Sequence, residues 1–259
     1  MKKMPPRPRK IAIANRKGGT GKTTTAVNLS SALALRGHRV LLVDIDPQAN
    51  ATLWMGVEAD IVKPTVYELL LGMETDTRKA VISTGVEGVD ILPSAVRLAG
   101  AELELANLSG RELRLKQVLE HVAPGYDYVI VDCPVSFGIL ALNALVACGE
   151  VLAPVQTHHL SVVAIRQLDE IIRKVNKTLN KGLRITGLVP TMVDRRMKIS
   201  EELIEEMEKE YGRNLLRPSI RLDAKLAEAP AKRKPIHQYA PKSNGAFDYT
   251  ALADDVRVM

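Results

Sequence analysis

Residues 16–24 read Arg-Lys-Gly-Gly-Thr-Gly-Lys-Thr-Thr, and their types and spacing suit a loop that holds phosphate. Gly18, Gly19 and Gly21 let the main chain approach phosphate oxygens with no Cβ in the way, and glycine tolerates positive φ. The N–H groups of such a loop, backed by a helix N-terminus, form a nest for the β- and γ-phosphates. Lys22 then reaches those phosphates, and the Thr23 hydroxyl is placed as a Mg²⁺ ligand. The usual spacing GxxxxGK[ST] puts glycine at position 16; this chain has Arg16, followed by Lys17. Two ammonium groups crowd one triphosphate, and one solution is that Lys17 points at the nucleotide of a second, facing subunit. Three carboxylates, Asp44, Asp46 and Asp132, fall where apolar runs end, the place where open α/β sheets present their ligands.

The elements that must position these groups alternate between strand-like and helix-like segments. Short apolar runs at 11–14, 40–43, 89–92, 128–131, 150–155 and 185–190 predict strands buried on both faces. Helices are expected at 23–35, in two stretches between 96 and 121, and at 162–179, 200–210 and 246–256. This order implies an α/β fold, a mostly parallel twisted sheet with helices on both faces. No internal repeat or long linker interrupts it, so residues 10–259 read as one domain behind a short basic tail, residues 1–9. No run of about 18 apolar residues occurs, and the N-terminus lacks the apolar stretch of a secretory signal, which predicts a cytoplasmic protein. The only cysteines, Cys133 and Cys148, are too few for a disulfide framework and read as small buried side chains.

Here the boxes become specific. Residues 17–25 resemble the deviant Walker A box of the ParA/Soj/MinD family of P-loop NTPases. Residues 43–52, Val-Asp-Ile-Asp-Pro-Gln-Ala-Asn-Ala-Thr, resemble that family's second nucleotide box, and residues 131–134, Val-Asp-Cys-Pro, its Walker B box. The likeness runs from about Lys10 to Val256 and favours the small chromosome- and plasmid-partitioning branch. It implies ATP and Mg²⁺ as cofactors, with Lys17, Gly18, Gly19, Thr20, Gly21, Lys22, Thr23, Thr24 and Asp44 around the nucleotide. Thr23, Asp46 and Asp132 would surround the metal, Asp46 also holding the attacking water. Lys17 would act across an ATP-dependent homodimer much as an arginine finger does, giving slow hydrolysis that a ParB-like partner accelerates.

The charge distribution adds a second surface. The formal charge is +6, and between positions 184 and 198 and again between 213 and 242, 12 Lys or Arg stand against three acids. The stretch 200–210 is strongly acidic, and such separation of signs points to a face for a polyanion. The resemblance assigns DNA-phosphate contacts to Arg196 and Lys225, with Arg195, Arg221, Lys232, Arg233 and Lys234 in the same basic set. Aromatic residues make up only 3%, which disfavours base stacking and leaves nonspecific, salt-sensitive binding of double-stranded DNA on the nucleoid.

Several positions depart from the branch pattern: Thr20 replaces the commoner Val, Val135 stands where a second proline often follows, and His158-His159 replaces an acid. The His pair could bind metal or sense pH, but no carboxylate or Cys spacing accompanies it. Two rivals compete with a cargo-positioning ATPase. An iron–sulfur reductase of the nitrogenase iron-protein type would use Cys133, although Cys148 sits on a helix beyond it. A MinD-like membrane-associated ATPase would need a basic amphipathic C-terminal helix, which residues 254–259 do not supply. No membrane is therefore expected as a partner.

Overall fold

The computed structural model describes residues 8–157, 161–194 and 196–259. Its chain runs β1 (Arg9–Ile13), α1 (Lys22–Leu35), β2 (Val40–Asp44), α2 (Asn50–Trp54), α3 (Val66–Leu71), β3 (Ile82–Ser83), β4 (Val89–Leu92), α4 (Leu98–Leu105) and α5 (Arg114–Val122). It continues with β5 (Tyr128–Asp132), α6 (Ile139–Ala147), β6 (Glu150–Gln156), α7 (Ser161–Thr178), β7 (Arg184–Val193) and α8 (Lys198–Tyr211). The last elements are β8 (Ile220–Arg221), α9 (Ala224–Glu228), α10 (Ile236–Tyr239) and α11 (Asn244–Val258). The strands form one eight-stranded sheet in the order β3-β4-β2-β5-β1-β6-β7-β8. All neighbours pair parallel except β3, which runs antiparallel to β4 at one edge.

Parallel pairing forces each connection to cross a face of the sheet, so both faces must be covered. The β2 run Val40-Leu41-Leu42-Val43 shows the result. Leu41 and Val43 point into a core shared with α3 to α7, while Val40 and Leu42 point into a second core shared with α1, α2, α10 and α11. Every β2 and β5 residue is buried, and continuous apolar sequence is what two covered faces demand. The first strand begins at Arg9, inside the expected tail, because its guanidinium pairs with Glu150 of β6 at 2.7 Å.

Register sets the chemistry. β1 and β2 both pair with β5, and the pairing places Asp44 beside Asp132 and Asp132 beside Ile13. The carboxyl ends of three adjacent strands therefore converge on the loop that leaves β1. That loop enters α1 through Gly21, whose φ of 88° lies in the left-handed region, a conformation that a side chain would resist.

Candidate functional site

The loop between β1 and α1 is tied down from beneath. Asn15 is buried; its Nδ2 donates to the Pro154 carbonyl of β6 at 2.7 Å, and its Oδ1 accepts the Lys17 N–H at 3.0 Å. Thr191 of β7 donates through its hydroxyl to the Thr20 carbonyl at 2.9 Å. Gly19 joins Gly21 at positive φ, 73°. No side chain caps the N-terminus of α1, so its first N–H groups and the positive end of its dipole face the loop, an arrangement suited to phosphate.

Lys22 is the first residue of α1 and is 6% exposed. Among the described residues its Nζ reaches only the Lys17 carbonyl, at 3.4 Å. Burial holds its pKa below the ordinary lysine value, opposed by Asp132, Cys133 and Asp46. Lys17 is half-buried, and its backbone carbonyl also receives the Thr20 hydroxyl at 3.4 Å.

The three carboxylates differ sharply. Asp44 is fully buried and its oxygens are engaged by its own chain: Oδ1 accepts the Asp46 N–H at 3.1 Å, and Oδ2 accepts the Thr52 N–H and hydroxyl at 2.8 and 2.7 Å. Burial still pushes its pKa up to about 6, against the pull of those donors. Asp46 is 8% exposed; its Oδ1 caps the Gln48 N–H at 2.9 Å and its carbonyl takes the Ser94 hydroxyl at 2.7 Å. The turn then reaches α2 through Ala49, a non-glycine residue at φ 52°, which is local strain of the kind that gathers at functional sites. Asp132 is fully buried, and neither carboxylate oxygen has a hydrogen-bond partner among the described residues. Burial drives its pKa well above the ordinary value, Asp44 and Asp46 add to the rise, and Thr23 and Lys22 oppose it.

An unpartnered buried carboxylate is costly and calls for an explanation. Here it lies beside a hydroxyl, a second carboxylate and an ammonium. Oxygen donors of this kind are what Mg²⁺ takes, so the residues present fit that ion, which Thr23, Asp46 and Asp132 would hold. Asp44 instead braces Asp46 and α2, a positioning task.

A cavity of about 270 Å³ adjoins Gly21 and Thr24 and is walled by Met192, Leu222, Leu226, Pro230 and Tyr249. Met192 sits at φ 54°. The sequence does not assign these wall residues, since they come from β7, α11 and the segment from Leu222 to Pro230 around α9, far apart in the chain. Its apolar walls and size suit a flat heterocyclic base and not a whole nucleotide.

On the basic face, most of the named cations are already paired. Arg196 holds Asp194 at 2.7 Å, Arg221 holds Asp248 at 2.6 Å, Lys225 holds Glu228 at 2.7 Å, and Arg233 contacts Glu58. Lys232 and Lys234 are exposed and have no ion pair among the described residues. Arg195 and the pair His158-His159 lie outside the described residues. Both cysteines are buried; burial pushes the Cys133 thiol well up and the Cys148 thiol to about 12. Neither offers a thiolate to a facing subunit, and Cys148 caps the end of α6, so an iron–sulfur reading is not supported.

A family model described as an AAA domain matches residues 8–185. The chain is 45% identical to the sporulation initiation inhibitor protein Soj of Bacillus subtilis, over 95% of this chain and 97% of that one. The chain belongs to the ParA/Soj family of partitioning ATPases. Another member, the chromosome partitioning protein ParA of Myxococcus xanthus, is 39% identical over 95% of this chain and 87% of its own. Among solved structures, the fold superposes at a TM-score of 0.85 on a Mycobacterium smegmatis protein named cobyrinic acid a,c-diamide synthase. That protein, with bound ADP and magnesium, is 35% identical; the match spans 96% of this chain and 94% of that one. With the family shown, the membrane-associated and iron–sulfur rivals are not favoured. Among the described residues no helix is long and apolar enough to cross a membrane.

Proposed function

We propose that this ParA/Soj-family chain is an ATP-dependent dimerising ATPase that partitions a chromosome or plasmid by binding double-stranded DNA without sequence preference. Residues 10–259 act as a single nucleotide-switch domain in the cytoplasm, held on the nucleoid in the ATP state. A ParB-like partner on the cargo stimulates hydrolysis and releases it. The observation that carries the reading is the buried, unpartnered Asp132 beside the uncapped N-terminus of α1, in a chain 45% identical to Soj.

The residues then take these roles. Gly18, Gly19, Thr20, Gly21 and Thr24 shape the phosphate nest, and Lys22 leaves the Lys17 carbonyl for the β- and γ-phosphates. Thr23, Asp46 and Asp132 hold Mg²⁺, which when bound neutralises charge building on the phosphate oxygens. Asp46 orients the attacking water, itself fixed by Asp44 through the Asp46 N–H. Lys17 faces a second subunit and offsets charge on that subunit's nucleotide. The base enters the cavity walled by Met192, Leu226 and Tyr249. Arg195, Arg196, Arg221, Lys225, Lys232, Arg233 and Lys234 form the phosphate-binding face, where contact with the duplex backbone releases counterions.

Retention on arbitrary duplex DNA with ATP, ADP or no nucleotide tests this. Wild-type protein is expected to bind only with ATP, and Lys17→Ala is expected to bind ATP without forming the dimer or holding DNA. Retention that ignores the nucleotide would refute the switch, and absence of retention in all three states would refute the DNA-binding reading.

A further inference from the structure

Two buried side chains with no part in phosphate chemistry tie the basic turn to the nucleotide site. Trp54, the chain's single tryptophan, ends α2 and is 4% exposed. Its Nε1–H donates to the Lys234 carbonyl at 2.9 Å. Asn28 lies fully buried in α1; its Nδ2 donates to the Thr24 carbonyl at 2.8 Å, and its Oδ1 accepts the Ile236 N–H at 2.7 Å.

Each side chain is anchored at its other end to a nucleotide box. Thr24 belongs to the phosphate loop. Helix α2 follows the Asp46 turn directly and is fastened to Asp44 through both Thr52 donors. Two struts, one from each box, thus converge on residues 234–236. Immediately before that point, Lys232, Arg233 and Lys234 project exposed basic side chains. Arg233 sits at φ 52°, a conformation that persists only where the surroundings impose it.

Geometry makes the link stiff. A buried indole N–H or amide left without its partner costs more than the bond itself contributes. A shift of α2 when Asp46 engages a ligand must therefore drag the Lys234 carbonyl or break the bond.

We infer that Trp54 and Asn28 are positioning residues through which the nucleotide site sets the placement of the Lys232–Lys234 turn against a polyanion. The inference rests on the DNA-binding reading of the basic face.

Trp54→Phe keeps an aromatic ring and removes the single N–H. In this variant ATP affinity, basal turnover and the ATP-dependent dimer stay at the wild-type level. The ratio of DNA affinity with ATP to that with ADP falls about three- to tenfold, the worth of one buried hydrogen bond. Because the chain has one tryptophan, wild-type emission gives a readout without DNA: Mg-ATP changes its maximum or its quenching by acrylamide, and ADP does so less. Three outcomes overturn the inference while the DNA-binding reading stands: an unchanged ATP-to-ADP ratio in Trp54→Phe, an equal loss of affinity in both nucleotide states, or emission indifferent to ATP. Wild-type protein without ATP-gated retention removes that reading, and the inference with it.

Discussion

The nucleotide site and the basic face handle charge in opposite ways. At the site, charges are buried and, among the described residues, poorly partnered: Asp132 has no hydrogen bond to either oxygen, and Lys22 has only a carbonyl at 3.4 Å. On the basic face, most of the named charges are exposed and have partners, as in Arg196 with Asp194 and Lys225 with Glu228. Burial without pairing stores free energy that only a ligand of the right charge can release. Exposed pairs store little, so a phosphate can displace the acid at small cost. The first arrangement makes a site that is selective and nucleotide-dependent. The second suits the proposed role of that surface, weak and rapidly exchanging contact with any duplex.

The largest effect expected from this contrast is at Lys22. Lys22→Ala removes a buried cation proposed to reach the phosphates, and turnover should fall by about 10²–10³ or more. Single-turnover hydrolysis measures it, and a loss of less than tenfold would mean that the helix N-terminus alone carries the charge. Asp132→Asn should separate function from stability. Hydrolysis is lost, yet the nucleotide-free protein gains about 1–3 kcal/mol, because a buried carboxylate without donors is replaced by a neutral amide. The sign with pH follows from the raised pKa. The native state binds the proton more readily than the unfolded chain, so the wild-type cost is present at neutral pH and fades as pH falls toward the ordinary 3.8. Denaturant titration of both proteins in EDTA at neutral pH and near pH 4 checks this, and a stability difference independent of pH would break the comparison.

How much of this was legible in the sequence follows from where each signal resides. The glycine-rich loop, the runs ending in Asp44 and Asp132, and the strands of both β2 and β5 are local, and the structure bears them out. The two-residue strands β3 and β8 were missed, as were α2 and α3. A strand that short shows no period, and α2 begins at a strained Ala49 with no capping side chain. Helix α3 could have been found, since Thr65 and Glu68 form a capping box in the Thr-x-x-Glu pattern. At the site, Asp44 was grouped with the nucleotide contacts, whereas its oxygens are occupied by Thr52 and Asp46. On the basic face the sequence counts signs without showing pairs, because Glu58 and Asp248 lie far in sequence from Arg233 and Arg221.

That last point separates residues which charge counting treats alike. Lys234→Ala should lower the slope of log affinity against log salt by about 1, as for one lost phosphate contact. Arg221→Ala should change that slope far less, because its guanidinium is held by Asp248, whose side chain is 10% exposed. It should instead lower Tm, since Asp248 also accepts the Arg221 N–H at 2.9 Å and would lose its charged partner. Salt titration of DNA binding and thermal melts on both variants test the distinction, and equal slopes would show that Arg221 swings free on binding.

The smallest effect tests the exchange itself. Asp194 holds Arg196 through both carboxylate oxygens, at 2.9 and 2.7 Å, and the guanidinium keeps its pKa down at about 2. The Arg196 side chain is 87% exposed, so the pair competes with water and a phosphate on nearly equal terms. Asp194→Asn removes the competing charge and frees Arg196, and DNA affinity in the ATP state should rise about twofold, in keeping with the small worth of an exposed pair. The gain should vanish in the Asp194→Asn/Arg196→Ala double variant, which makes the cycle a measure of the pair and not of net charge alone. A gain that persists in the double variant would mean that Asp194 acts only by long-range repulsion of the duplex. The exposed pairs would then contribute to the field of the face without being exchanged for phosphate.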